Sequence, residues 1–491
     1  MNYEALIAEA EANIRQGQAG KSAKLLAKID SSKAPRKLRL PLANLCRRTG
    51  LYAMGLTLLY KVINPSRPLS DATPQELAEY SVLLLRSGAL DEARETLERV
   101  DTSIAPEGLL YRAFCDFTSW DGENSVPHLQ KYLTMPLAPY PRLVGQANLA
   151  HAFVDGSNPK LALPILDEVI TSCEANGHHG LRNTCLAMRA QVNIDIGDYK
   201  EARSDLARAH AGGGQSYDQQ RVGKWDLILE ALERKRVEPL AIVKKNAIQV
   251  QDWETLREAD LYSLSIEFRE EIFQHLLFGT PFAGFRARVQ RLLGKTTQRD
   301  IYVLGRKSCP RFDLARGVIG NEEVIRPGGK AHQLLVALTD DFYRPLAMGN
   351  LFSDLFPGEH FNIFSSPNRV HKIISRSREW IDDSGLPLEI AERDGFYSLR
   401  VTGDLSLRVT LNRQPLDLMH TRFAKLQDVM GSGKIFSAQQ ASERLDISRT
   451  ALKQLFAWGI EQGRLERLGA NQRSAKYRIL SAAPASLRAA G

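Results

Sequence analysis

The side chains in this sequence best placed to do chemistry are cations and amides at helical spacing, near the C-terminus. Between Ile435 and Ile479, Leu452, Leu455, Phe456 and Gly459 recur at the interval that gathers them on one side of a helix. Thr450, Lys453, Gln454 and Ala457 then fall on the other side, with Arg449 at the exposed start. After Gly463, the runs Arg-Leu-Glu-Arg-Leu and Ala-Lys-Tyr-Arg-Ile-Leu flank a Gly-Ala-Asn-Gln-Arg-Ser turn, the pattern of a β-hairpin. Asn471, Gln472 and Arg473 stand at its tip and Lys476 on the return strand. Such donors suit phosphate oxygens and base edges, and Ala457 lets a backbone come close.

The surrounding elements follow from local signals. Ser437 with Gln440 three residues on forms a capping box, opening a short helix over Ala438 to Leu445. Asp446 and Ile447 break it, and Ser448 caps a second helix running to about Glu461, with Ile447 and Leu452 at the staple positions. Two short helices joined so tightly are a helix-turn-helix. With the hairpin behind it, this stretch of about 60 residues from Met419 resembles a winged helix-turn-helix DNA-binding domain. The resemblance implies double-stranded DNA as partner; the competing reading is a winged fold used only for protein docking.

A second group of candidate contacts lies upstream. A helix is expected from Pro367 to Asp383, with Val370, Ile373, Ile374 and Ile381 inward. Asn368, Lys372 and Ser375 lie opposite them, flanked by Arg369, His371 and Arg376. Before this helix come short β-like pieces at Ile301 to Leu304, Phe312 to Leu314, Val318-Ile319 and Val324 to Arg326, then helices at Lys330 to Asp341 and Ala347 to Leu355. After it, Leu388 to Glu392 and Phe396 to Val401 flank an Arg-Asp-Gly turn, a second hairpin.

That order resembles the winged-helix effector domain of OmpR/PhoB-type bacterial transcription regulators over about 100 residues. It is carried by His332-Gln-Leu-Leu-Val-Ala-Leu, Asn350-Leu-Phe-Ser-Asp-Leu-Phe-Pro, Ile374-Ser-Arg-Ser-Arg and Ile390 through Leu399. The family implies a helix in the major groove and Arg393 in the wing over the adjacent backbone. Ser377 stands where the family packs a Leu, and Phe396 where the wing carries a Gly.

From the start to about residue 266 the sequence is helical and self-similar. A turn residue is followed five places on by a small residue and four further by an apolar one: Gly88/Ala93/Leu97, Gly197/Ala202/Leu206, Gly50/Gly55/Leu59 and Ser157/Ala162/Leu166. Gln18/Ala23 is a degenerate instance, and a unit near Trp120 to Leu133 is weaker still. The spacing marks a helical solenoid. Leu-Leu-Arg-Ser-Gly-Ala-Leu-Asp-Glu-Ala and Asp-Ile-Gly-Asp-Tyr-Lys-Glu-Ala resemble the middle of a tetratricopeptide repeat (TPR), which implies a concave surface for a protein or peptide partner; the alternative is a solenoid that makes a homodimer.

The expected organisation is multidomain: an all-α TPR-like solenoid (1–266), a helical linker (267–300), then two α+β winged helix-turn-helix domains (301–408 and 409–481). About ten residues around Thr410 join the winged domains, and an Ala-rich tail (482–491) follows. Residues 301–491 hold 27 Lys+Arg against 20 Asp+Glu, whereas 1–300 hold 38 against 37, so nearly all of the net +8 sits at the C-terminal end.

Several classes are excluded. The five cysteines have no CxxC spacing, which argues for free thiols in a reducing compartment. No run of 18 apolar residues and no secretory signal is present, so a cytoplasmic protein off the membrane is expected. Gly20-Lys21-Ser22 has Arg15 where a phosphate loop needs Gly, and Gly433-Lys434 has Asp428 there and Ile435 where Ser or Thr belongs. His178-His179 has no third ligand. No nucleophile elbow, HExxH or dinucleotide fingerprint appears, so neither enzyme activity, metal nor cofactor is expected. The chain reads as a DNA-binding transcriptional regulator with a partner- or signal-sensing solenoid; the alternative is a scaffold in which solenoid and winged modules dock proteins.

Overall fold

A computed structural model describes residues 2–15, 18–63, 72–211, 216–306, 308–411, 418–431, 433–445, 449–468 and 475–480, without the side chains of 15, 216–221, 418, 420, 421, 424, 449 and 450. Its first part is a series of packed helical hairpins: α1 (Tyr3–Arg15) with α2 (Ala19–Leu26), α3 (Arg39–Arg48) with α4 (Tyr52–Ile63), α5 (Pro74–Arg86) with α6 (Leu90–Glu98), and α7 (Glu107–Thr118) with α8 (Gly122–Leu133). The series continues with α9 (Pro139–Asp155) and α10 (Ala162–Asn176), α11 (His179–Ile196) and α12 (Tyr199–Ala211), α13 (Ser216–Arg234) and α14 (Glu238–Val250), then α15 (Trp253–Ile266), α16 (Glu270–Phe278) and α17 (Ala283–Leu293). Odd-numbered helices also pack on one another from α1 to α7 and again from α9 to α17. No helix of the described residues is long and apolar enough to cross a membrane.

The repeat signature has a direct physical basis. Gly50, Gly88 and Gly197 stand at hairpin turns with φ of +79°, +87° and +84°, a backbone region that side chains resist. Ala93, Leu97, Ala202, Leu206, Leu59, Ala162 and Leu166 are all at most 1 % exposed. A Cβ on Gly55 would stand 2.8 Å from Leu83 Cδ2, so a small residue is required where the helices cross. In the degenerate first hairpin Ser22 takes the buried place, its hydroxyl donating to the Ala10 carbonyl at 2.8 Å. The weak unit near Trp120 also has a cause: Trp120 itself holds a left-handed φ of +54° at the turn. That conformation costs on the order of 1 kcal/mol or more; the buried indole, edge-on to Phe285 and donating Nε1–H to Glu254 at 2.8 Å, offsets it.

The first α+β unit comprises β1 (Ile301–Leu304), β2 (Arg311–Asp313), β3 (Val318–Ile319), β4 (Glu322–Glu323), α18 (Lys330–Ala337), β5 (Leu346–Ala347), α19 (Met348–Leu355), α20 (Ser366–Ser384), β6 (Leu388–Arg393), β7 (Phe396–Val401) and β8 (Ser406–Thr410). One sheet has the order β1-β8-β2-β3-β4, the other β5-β7-β6. Thr410, expected in the connection between units, instead pairs with Ile301 in β8, which lies antiparallel to β1 and parallel to β2. The alternation Leu405, Leu407, Val409, each at most 3 % exposed, is the strand signal of this stretch. The first helix ends at Ala337 rather than Asp341, because the Asp341 carboxylate turns back to accept from Tyr343 N at 2.9 Å and Arg344 N at 3.1 Å.

This unit is built into the helical region. A single hydrophobic cluster runs from Leu6 through α15–α17 to Val409. Segment 267–300, expected as a helical linker, holds α16 and α17 and is part of the packed body, with Phe273, Leu276 and Phe285 in that cluster. Fully buried Arg257 on α15 donates to Asp341 at 2.7 Å and lies within 5.1–5.4 Å of the Phe282, Phe285 and Tyr343 rings. Tyr343 OH donates to Asp260 at 2.7 Å and Phe342 N to the Gly279 carbonyl at 3.0 Å. On the other side, Gly349 N donates to the Ser87 carbonyl at 3.2 Å; a Cβ on Gly349 would fall 2.4 Å from that oxygen.

The second α+β unit comprises α21 (Leu418–Met430), β9 (Ile435–Ser437), α22 (Ala438–Leu445), α23 (Arg449–Glu461), β10 (Leu465–Leu468) and β11 (Lys476–Ile479). Its sheet has the order β10-β11-β9, all antiparallel. Phe423, Leu426, Phe436, Leu452, Leu455, Phe456 and Ile479 belong to a hydrophobic core separate from the main one.

Candidate nucleic-acid interface

In the second unit the capping box forms: Gln440 N donates to Ser437 Oγ at 3.2 Å and Ser437 N to Gln440 Oε1 at 2.8 Å. It starts α22 where β9 ends. The turn at Asp446, Ile447 and Ser448 lies outside the described residues. On α23, Leu452, Leu455 and Phe456 are at most 5 % exposed. Gly459 is buried with them because a Cβ would stand 2.6 Å from the Phe423 ring. Tyr477 on β11 meets Phe456 at a centroid distance of 4.3 Å and so anchors the hairpin to the helix. Lys453, Gln454 and Ala457 are exposed together on the opposite side. The side chains of Arg449 and Thr450, and the hairpin tip with Asn471, Gln472 and Arg473, lie outside the described residues; Lys476 is exposed at the base of the return strand.

Three further exposed cations of this unit, Lys425, Lys434 and Arg467, have no hydrogen-bond partner among the described residues, whereas exposed Arg444 donates to the Val429 carbonyl at 3.1 Å. Among the described residues they, Lys453 and Lys476 enter no ion pair. Sequence reasoning did not single these three out, since they lie on α21, before β9 and on β10, off the periodic face that marked α23. Arg478, by contrast, is occupied by Glu466 across the hairpin at 2.6 Å.

In the first unit α20 buries Val370, Ile374 and Ile381, with Ile373 half-buried. Ser377 is also fully buried, with no hydrogen-bond partner for its hydroxyl among the described residues, so the face has a polar gap where a larger apolar side chain would fill it. Asn368, His371, Lys372, Ser375 and Arg376 are exposed, and Lys372 and Arg376 enter no ion pair among the described residues. Arg369 is engaged within the unit. Its guanidinium makes a two-point pair with Glu359, at 2.5 and 3.0 Å, and lies 3.9 Å from the Phe356 ring centroid. Ser375 Oγ donates to Glu379 at 3.4 Å.

Both ends of this helix–hairpin element are held by the helical region. Ahead of α20, Asn362 donates to Tyr60 OH, Phe364 meets the Tyr60 ring edge-on at 5.4 Å, and His360 lies 3.5 Å from Glu95. At the hairpin tip, Asp394 and Gly395 adopt φ of +55° and +81°, the two left-handed residues of a tight hairpin turn. The Asp394 carboxylate accepts from Gln251 at the end of α14 at 3.0 Å and lies 3.6 Å from Arg393. Exposed Arg393 therefore shares its tip with an acidic neighbour.

Charge separates the two units. Residues 301–411 contain 14 Lys+Arg and 14 Asp+Glu, whereas residues 418–480 contain 11 and 5. The basic surplus of the C-terminal third is thus concentrated around α23 and its hairpin, where a polyanion gains most.

The rejected motifs have structural places of their own. His178 stands at the start of α11 with its ring edge-on to Tyr140 at 4.8 Å, and no group of three or more possible metal ligands occurs among the described residues. Compared with known proteins, the chain matches no family model and no curated protein.

Proposed function

We propose that this chain is a DNA-binding transcriptional regulator: a TPR-like solenoid that receives a partner or signal, followed by an OmpR/PhoB-like winged helix and a second winged helix-turn-helix domain. The observation that supports it best is α23, with Leu452, Leu455 and Phe456 buried and Lys453, Gln454 and Ala457 exposed beside a hairpin, in a unit with 11 basic and 5 acidic residues. A helix presenting cationic and amide groups next to a basic hairpin docks into the major groove while the hairpin lies along phosphate.

The second winged unit leads the binding and the first supports it. Lys372 and Arg376 of α20 are available for phosphate contact, but Arg369 and the hairpin tip are already engaged. The docking of the first unit on α5, α6 and α14–α16 favours the scaffold reading for that unit alone. A mobility-shift experiment with genomic duplex fragments decides between the readings. The regulator retards a subset of fragments at physiological salt, whereas a scaffold retards none.

A further inference from the structure

Buried carboxylates in this protein are, with few exceptions, satisfied. Glu79 accepts from Arg47 and Asn44, Asp205 from Arg189, Glu258 from Lys224 and Arg288, and Asp260 from Lys244 and Tyr343. Asp155, at the end of α9, is 7 % exposed, and its carboxylate accepts no hydrogen bond among the described residues. The nearest basic nitrogen is His151 Nε2 at 3.7 Å. Burial raises its carboxyl above the usual range, against the pull of His151 and Arg288.

Asp155 lines a crevice of about 680 Å³ between the α7–α8 turn, the end of α9 and one face of α17. Ala283, Gly284 and Ala287 keep the α17 wall low; a Cβ on Gly284 would fall 1.8 Å from the Trp120 carbonyl oxygen, so glycine is what lets the helix approach this turn. Arg291 at the rim donates to the Gly156 carbonyl at 2.8 Å. Asp121, Glu123 and Asp155 face the space against that one arginine. Two helix C-termini, of α7 and α9, end there, and two N-termini: that of α8, capped by Asp121, which accepts from Asn124 N at 3.2 Å, and that of α17, at Ala283 and Gly284. The helix ends thus offset one another, and the three carboxylates against one arginine make the space favour positive charge.

We propose that this crevice binds a small organic cation, a molecule whose ammonium or guanidinium N–H groups donate to the Asp155 carboxylate. The space is far larger than a metal ion needs, and no trio of metal-ligating side chains occurs among the described residues. An anion would meet three carboxylates. This site does not depend on the nucleic-acid reading, and its test uses no DNA.

The test is calorimetric titration of the full chain with putrescine, spermidine, agmatine, L-arginine and L-lysine, with citrate as anionic control. At least one cation binds saturably, one per chain, with a dissociation constant at or below about 1 mM, and citrate does not. Asp155→Asn weakens that binding at least about tenfold, the worth of one charge-assisted hydrogen bond. Ala287→Trp, at an exposed position that should not disturb folding, abolishes it. If none of the five cations binds, or if binding survives Ala287→Trp unchanged, the proposal is overturned. Should Asp155→Asn fail to fold, the Ala287→Trp result decides.

Discussion

The two α+β units carry comparable helices on different foundations. The first shares the main hydrophobic core and is fixed by Arg257–Asp341, Tyr343–Asp260 and the contact of α19 with the Ser87–Gly88 turn. The second has a small core of its own. Their charges differ in parallel: 14 basic and 14 acidic residues in one, 11 and 5 in the other. A unit welded to its neighbours through a buried ion pair and hydrogen bonds can transmit a displacement but gives up freedom to settle on a ligand. A basic unit with a self-contained core can follow a polyanion. On the proposed function, the same helix-plus-hairpin design would serve as a joint in one place and as a grip in the other.

The largest effect expected from this contrast is all-or-none. Expressed alone, residues 412–481 should fold cooperatively, with dispersed amide resonances in NMR. Residues 301–411 alone should not, because Phe312, Leu351, Phe352 and Tyr343 lose part of the surroundings they share with the helical region. A cooperatively folded 301–411 fragment would remove the weld.

Next is Asp341→Asn, which leaves the fully buried Arg257 guanidinium with only Glu254, 3.5 Å from its Nε, as counter-charge. Breaking a buried pair costs about 3–5 kcal/mol, read by chemical denaturation of the full chain. A loss below about 1 kcal/mol would place the pair among surface ion pairs instead.

A smaller, pH-dependent effect belongs to Glu92, in the cleft where α6 meets His360 and Phe361 of the first unit. Burial, with Glu95 and Asp91 adding, pushes its carboxyl up to about 8. Because the folded value lies above the unfolded one, ionisation costs stability progressively as pH rises from about 4.5 to about 8. Glu92→Gln should therefore raise Tm at pH 8.5 and leave it unchanged at pH 4; a gain of equal size at both would point to packing rather than ionisation. The smallest effect is Glu466→Gln, which frees Arg478 on an exposed hairpin pair and should change stability by no more than about 1 kcal/mol.

Much of the local architecture was legible in the sequence. The α20 helix, both hairpins, the Ser437–Gln440 capping box and the inward set Leu452, Leu455, Phe456 follow from period and capping chemistry, and all are present. The repeat register at Gly50, Gly88 and Gly197 was legible because only glycine holds those turns cheaply. The Trp120 turn was faint because a tryptophan takes that backbone conformation, with packing to Phe285 and Glu254 that no local pattern encodes. Strand β8 was missed because its partners, β1 and β2, are about a hundred residues away in the chain. Of the candidate contacts, the exposure of Asn368, Lys372, Lys453 and Gln454 could be read from periodicity. The pairing of Arg369 with Glu359 and of Asp394 with Gln251 could not, since each depends on the path of a loop or of a distant helix.

The most direct test is the salt dependence of binding to a retained duplex fragment, followed by fluorescence anisotropy. Each phosphate contact contributes a slope of about 0.9 in log affinity against log salt. Lys453→Glu with Lys476→Glu should lower the magnitude of the slope by about 2 and weaken binding strongly, while Lys372→Glu with Arg376→Glu should change both by less. Equal losses from the two pairs, or a loss confined to Lys372 and Arg376, would contradict the assignment of the grip to the second unit.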